Sequence, residues 1–273
     1  STLYCPAFLS SIRDVIATMT NYLNHTDVRK FIDRFGSWLI IALAAVLRLW
    51  NLGYPGKLVF DETYYVKDAW TLWNTGSEKA WPSDPNAAFE AGSVNTFLSD
   101  PSFVVHPPLG KWIIGFGMWL FGAENSYSWR ITTALLGIAA VGLLIAIAKL
   151  IFKSTAWALA AGFLFAIDGH AIVLSRTALL DNSLMFFALL AFYFLLRDQQ
   201  LRDIDQVRAL RPWLIAAGIS LGAATAVKWS GLYFIAAFGL YVVVSELLAR
   251  RAAGQKSWIT SGLVKQGSLS FLN

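Results

Sequence analysis

The sequence predicts an all-α polytopic membrane protein with about six spans. Three observations lead there. Of 273 residues, 56% are hydrophobic and only 14% charged, and the mean hydropathy is +0.54. Those values lie outside the range of an ordinary soluble domain. Apolar runs near the roughly 20 residues that cross a hydrocarbon core recur along the chain. The basic residues stand at the ends of those runs, where they set orientation in a bilayer. That placement argues against a nucleic-acid partner for the net charge of +5 and the pI near 9.3. A single cysteine, Cys5, excludes an intramolecular disulfide framework and a cysteine-based zinc site.

Residues 1–35 show no short apolar core followed by a small-residue cleavage site, so they read as a cytoplasmic segment. From residue 7 a weak amphipathic pattern (Phe8, Leu9, Ile12, Val15, Ile16, Met19) suits a helix on the membrane surface. The first span is expected at 36–52. Arg29, Lys30 and Arg34 precede it and hold its start inside, while Arg48 lies near its far end, within reach of the outer interface.

Residues 53–129 follow as a long external region with eight acidic residues against four lysines. Two pieces of it carry helical periodicity. In 62–73 the residues Val66, Ala69, Trp70 and Trp73 make one apolar face, and in 107–121 Leu109, Trp112, Ile113, Phe116 and Leu120 do the same. Pro107 and Pro108 suit the start of the second piece. Residues 74–104, with Trp81-Pro82-Ser83-Asp84-Pro85-Asn86, read as loop.

Further spans are expected at 130–151, 155–174, 182–196, 213–227 and 231–248. Lys149 and Lys153, the four arginines of 197–211, and Arg250, Arg251, Lys256 and Lys265 mark cytoplasmic turns. They all lie inside only if 107–121 rests on the membrane instead of crossing it. The expected organisation is a cytoplasmic segment 1–35, a transmembrane module 36–248 that includes the external loop 53–129, and a cytoplasmic tail or truncated remainder 249–273. Both ends are then inside.

This topology gathers Asp61, Glu62, His106, Lys111, Arg130, Arg176, Asp181 and Lys228 at the external face. Charges near the ends of spans are costly without a purpose or a partner. Asp61 has two readings: a cap for the helix that begins near Glu62, or a carboxylate placed to take a proton from an attacking hydroxyl. His106 and Lys111 stand in His-Pro-Pro-Leu-Gly-Lys, either as the lead-in to a helix or as donors to an anionic head group. Arg130, Arg176 and Lys228 fit snorkelling at the boundary or phosphate recognition. Asp168 reads as a structural partner of Arg176, and Asp181 as a partner of Arg176 or Arg130. No strong metal motif, glycine-rich nucleotide loop or GxSxG elbow is present.

Taken together, Phe60-Asp61-Glu62 after the first span, the 106–111 motif, Trp129-Arg130, Leu180-Asp181-Asn182 and Val227-Lys228-Trp229-Ser230-Gly231 closely resemble the protein O-mannosyltransferase family. That family belongs to the GT-C glycosyltransferases of membranes. The resemblance runs from about 36 to 248 and is carried by the ordered set of motifs. It implies inverting transfer of mannose from polyprenyl-phosphate mannose to Ser or Thr hydroxyls of polypeptides emerging on the outer side. It implies catalysis by Asp61 as general base, with Glu62 supporting it or orienting the acceptor. Arg130 matches a basic position of the lipid-phosphate site, and Lys228, His106 and Lys111 are weaker expectations for the same region. The long stretch 74–104 resembles the bacterial branch, which implies a plasma membrane with the site outside. A GT-C transferase for another lipid-linked sugar, such as aminoarabinose, and a transporter of a lipid-linked sugar are the competing readings. The metal requirement is open.

Overall fold

The computed structural model describes residues 26–201 and 211–252. The surface helix expected from residue 7 lies outside them up to residue 25, as do Arg202, Arg208, Lys256 and Lys265. The described residues form ten helices: α1 Thr26–Leu49, α2 Glu62–Thr75, α3 Asn86–Glu90, α4 Leu109–Phe121 and α5 Ser126–Phe152, then α6 Thr155–Ile167, α7 Gly169–Ser175, α8 Leu180–Gln200, α9 Pro212–Val227 and α10 Gly231–Ala252. By length and composition α5, α8 and α10 can cross a membrane, and α6 with α7 makes a fourth crossing if the bent pair is one span. The protein is an integral membrane protein on this evidence of apolar helices. The domain limits read from the sequence at 35/36 and 248/249 fall inside α1 and α10.

Helix α5 is the hub, packing against α1, α4, α6, α7 and α8. Its start is fixed locally: Asn125 accepts a hydrogen bond from the Ser128 amide at 2.9 Å, the usual service of an N-cap. Trp129 is buried one turn in, and its indole donates to the Ala123 carbonyl at 2.7 Å. Where α1, α5 and α6 meet, the core is built from Ala44, Val141, Ile145, Ala148, Ala158 and Ala166. Small residues let apolar helices approach closely. A β-carbon on Gly162 would stand 2.2 Å from Ile145, so only glycine fits that crossing.

The apolar run 155–174 is not one straight helix. It breaks at Asp168, and α6 and α7 meet at 63°. Asp168 is extended and its carboxylate accepts from the Ala171 amide at 2.7 Å, capping α7. On the other side of the break, the fully buried Arg48 donates to the Ala166 and Phe165 carbonyls at 3.0 and 3.3 Å. A cation there satisfies carbonyls that the end of α6 leaves open. Arg48, expected to reach out to an interface, is instead sealed within the protein against the end of α6.

Residues 53–129, expected to be external, are folded. Leu58, Tyr65, Val66, Ala69, Phe89, Ile114, Met118 and Trp129 belong to one core with Ala178, Leu180 and Val227. The stretch read as loop contains α3, whose Phe89 is buried between Trp81 and Trp129 at ring distances of 5.5 and 5.7 Å. Backbone bonds from Ala80 to Asp100, Leu98 to Ala80 and Ser102 to Glu78 clip the stretch together. Its missed order has a plain cause. The pairing joins residues about twenty positions apart, which no local periodicity reports.

Candidate active site

The two adjacent carboxylates lead different lives. Glu62 is fully buried. Its Oε1 accepts from Arg130 Nε and from the Ala178 amide, both at 2.8 Å. Its Oε2 accepts from Arg130 Nη2 at 2.7 Å and from the Val59 amide at 3.0 Å. The residue thus ties α2 to α5 and to the turn before α8, with each oxygen receiving two donors.

Asp61 is partly exposed. It occupies the N-cap position of α2, yet its side chain makes no capping bond, because its backbone is helical (φ −73°, ψ −3°). The capping expectation fails for that reason. Its side chain instead accepts from the Tyr65 hydroxyl at 3.4 Å, one helical turn on. Phe60, just before it, holds a left-handed φ of 51° and turns its ring out to solvent. Such strain in a residue with a β-carbon tends to collect at functional sites.

Arg130 is buried and spends all five N–H groups inside the protein. Besides Glu62 it donates to the carbonyls of Leu52 and Pro55 through Nη1 and of Lys57 through Nη2. No donor is left for a phosphate, so the expected lipid-phosphate contact gives way to a role in holding the Asp-Glu turn. Lys111 is likewise sealed in. Its ammonium pairs with Glu78 at 2.6 Å and Asp68 at 3.0 Å, fastening α4 to α2 and to the external stretch instead of facing a head group. Burial pushes the Asp68 carboxyl up, and Lys111 pulls it back.

Arg176 pairs with neither Asp168 nor Asp181. It donates to the carbonyls of Leu47, Arg48, Trp50 and Asn51, closing the end of α1. Asp181 pairs with Lys228 at 2.8 Å, and both remain partly exposed. Beside them, Trp229 donates to the Val105 carbonyl at 3.2 Å, which docks the segment before His106 against the end of α9. The His106 ring lies 6.1 Å from that of Tyr65, and its Nδ1 is buried without a hydrogen-bond partner among the described residues. Burial lowers the His106 pKa, helped by the charges of Lys228 and Lys111 and opposed by Asp181 and Asp61.

The structure therefore brings Asp61, Tyr65, His106, Asp181 and Lys228 to one mouth, and sets Glu62, Arg130 and Lys111 behind it as framework. Below the mouth an apolar groove of about 310 Å³ runs between α8 and α10, lined by Leu184, Met185, Leu189, Phe192, Phe234 and Phe238 with Asp181 at its head. Tyr65 was not singled out from the sequence, although its spacing of four from Asp61 on a helix carried the signal. Among the described residues no group of three or more His, Cys, Asp or Glu is set to hold a metal.

The profile of the dolichyl-phosphate-mannose-protein mannosyltransferases matches residues 106–264, more than half of the sequence. The chain belongs to that family. A polyprenol-phosphate-mannose–protein mannosyltransferase of Mycolicibacterium smegmatis is 38% identical over 246 residues, which are 81% of this chain and 44% of the relative. The protein of the same name from Mycobacterium tuberculosis is 35% identical over 252 residues, or 84% and 45% of the two chains. This mannosyltransferase-family chain thus spans less than half the length of those curated relatives. It also resembles the solved Saccharomyces cerevisiae protein O-mannosyltransferase Pmt1-Pmt2 complex bound to the sugar donor. The TM-score is 0.60 at 24% identity, over 77% of this chain and 28% of that one, a likeness of fold. His106, Lys111, Arg130, Asp181 and Lys228 fall inside the family match, whereas Asp61 and Glu62 precede it.

Proposed function

We propose that this chain carries the donor site and the base of an inverting protein mannosyltransferase. The supporting observation is the contrast within the Asp-Glu pair. Glu62 has both oxygens filled, while Asp61 stands partly exposed at the mouth with one long hydrogen bond. In the proposed reaction a Ser or Thr hydroxyl oxygen of an acceptor polypeptide attacks the anomeric carbon of polyprenyl-phosphate mannose. Asp61 takes the hydroxyl proton, the bond from that carbon to the phosphate oxygen breaks, and polyprenyl phosphate leaves with the electron pair. Phosphate is a good leaving group, so no separate acid is needed.

Lys228 is the phosphate contact in this reading. It is partly exposed, and its partner Asp181 is more exposed still, so an incoming phosphate can compete for the ammonium. A phosphate there places the lipid chain along the groove between α8 and α10. His106 lines the same mouth. Arg130 and Lys111 serve as framework.

The proposed topology has six spans: α1, α5, α6 with α7, α8, α9 and α10. Helix α4, with 13 residues, is too short to cross, and its exposed Phe116, Trp119, Leu120 and Phe121 suit a place in the interface. The active-site mouth then faces outward from a bacterial plasma membrane, towards acceptor polypeptides as they emerge.

The test uses the full-length protein in membranes, with labelled polyprenyl-phosphate mannose and a Ser/Thr-rich peptide. Asp61→Asn is expected to lower turnover by about 10²–10⁴-fold, the usual contribution of a general base, while donor binding persists. Transfer unchanged in Asp61→Asn would remove Asp61 from the chemistry. Donor carried across the bilayer with no label on the peptide would point to a transporter.

A further inference from the structure

A carboxylate that acts as base needs a fixed direction as well as a suitable proton affinity. Among the described residues, few contacts give Asp61 that direction. Its side chain does not cap α2, and the neighbouring Glu62 is committed to Arg130 and two backbone amides. The hydroxyl of Tyr65 is the group that reaches it, at 3.4 Å from Oδ2.

Tyr65 is well placed to hold a fixed position. It is only 7% exposed and belongs to the external core with Leu58, Val66, Ala178 and Leu180. Its ring also faces that of His106. A buried tyrosine usually directs its hydroxyl to a partner, and here that partner is a carboxylate at a reactive mouth. Burial, then the charge of Asp61, pushes the phenol up to about 12, so it keeps its proton and remains a donor.

We infer that Tyr65 is the positioning residue of the base: its hydroxyl holds Oδ2 of Asp61 and leaves Oδ1 for the acceptor hydroxyl. The inference rests on the proposed role of Asp61. The bond is long at 3.4 Å, and catalytic hydrogen bonds commonly tighten in the Michaelis complex. Other charges face the same point. They are His106 before α4, Asp181 on α8 and Lys228 at the end of α9, with Asp68 further along α2 and Lys111 on α4. None of them supplies a hydrogen bond to the Asp61 carboxylate.

The experiment is Tyr65→Phe in the full-length protein, assayed for kcat and donor KM. The ring and its packing are kept, and only the hydroxyl is removed. The expected result is kcat lower by about three- to tenfold, the worth of one such hydrogen bond. Donor KM should stay within about twofold, because Tyr65 does not contact the donor phosphate in this arrangement. Replacing Tyr65 by 3-fluorotyrosine, which keeps a hydroxyl donor on a ring of nearly the same size, should restore kcat. A merely structural tyrosine would leave kcat unchanged in Tyr65→Phe, which keeps the packing of the ring.

Wild-type kcat in Tyr65→Phe, or a kcat equally low in both variants, with Asp61→Asn inactive, would overturn the inference and leave Asp61 as base. Full activity in Asp61→Asn would instead overturn the reading beneath it. The two failures are therefore distinct.

Discussion

Glu62 and Arg130 meet through two parallel bonds, Nε to Oε1 at 2.8 Å and Nη2 to Oε2 at 2.7 Å, with both side chains sealed from solvent. The pairing is bidentate, which suits arginine and cannot be reproduced by lysine. It fixes the turn that carries Asp61, and it changes what loss of either residue should do.

Arg130→Met leaves a buried carboxylate without its counter-charge. Such a loss typically costs about 3–5 kcal/mol. The expected outcome is a marked fall in thermal stability in detergent, with part of it recovered when Glu62→Gln is added. Unchanged stability with a raised donor KM would return Arg130 to the phosphate site.

Lys111→Met sets Asp68 and Glu78 together without the ammonium that both contact. Like charges buried side by side repel, so the external stretch should loosen. Amide exchange should speed up at Ala80, Leu98 and Ser102, whose backbone bonds clip that stretch, while the amides of α5 remain protected. Equal loss of protection throughout would mean that the cluster supports the whole fold.

His106 titrates below its ordinary value of about 6.5 because burial disfavours its cation. A folded pKa below the unfolded one contributes stability that is fully present above the unfolded value. That stability is lost as pH falls through the folded value. Melting temperatures measured from about pH 8 to about pH 5 should therefore fall more steeply in wild type than in His106→Gln below about pH 6.5. Parallel curves would count against a partly desolvated imidazole.

Met185 lines the groove between α8 and α10 without being part of the mouth. Met185→Trp should narrow the groove and raise KM for a long-chain polyprenyl donor. A donor with a short lipid chain, which fills less of the groove, should be affected less. An equal rise for both donors would place the lipid elsewhere.

Much of this site could be read from residue types and order, and the limit of that reading is physical. Helical periodicity pointed to 62–73 and 107–121, and helices stand at Glu62–Thr75 and Leu109–Phe121. The one-face argument collected Asp61, His106, Asp181 and Lys228, and the structure sets them at one mouth. It collected Arg130 and Lys111 as well, and there the sequence could not separate framework from surface. What decides their roles is which groups saturate them. Those groups lie far away in the chain, at Glu62 for Arg130 and at Asp68 and Glu78 for Lys111. The break in 155–174 was hidden for a similar reason. Asp168 is a visible polar residue, but the guanidinium that occupies the open end of α6 comes from α1.

That last contact makes two distant parts of the chain depend on each other. A nascent segment 155–174 on its own has every reason to enter the bilayer as one uninterrupted helix, because hydrocarbon leaves no backbone group unsatisfied cheaply. Arg48, on its own, has every reason to retreat towards water. Each becomes acceptable away from water only in the company of the other. The helix that carries Arg48 is therefore settled only when α6 and α7 have bent around it. Arg48→Leu should remove the bend, and spin labels at Trp157 and Val173 would then report the longer separation of a straight helix.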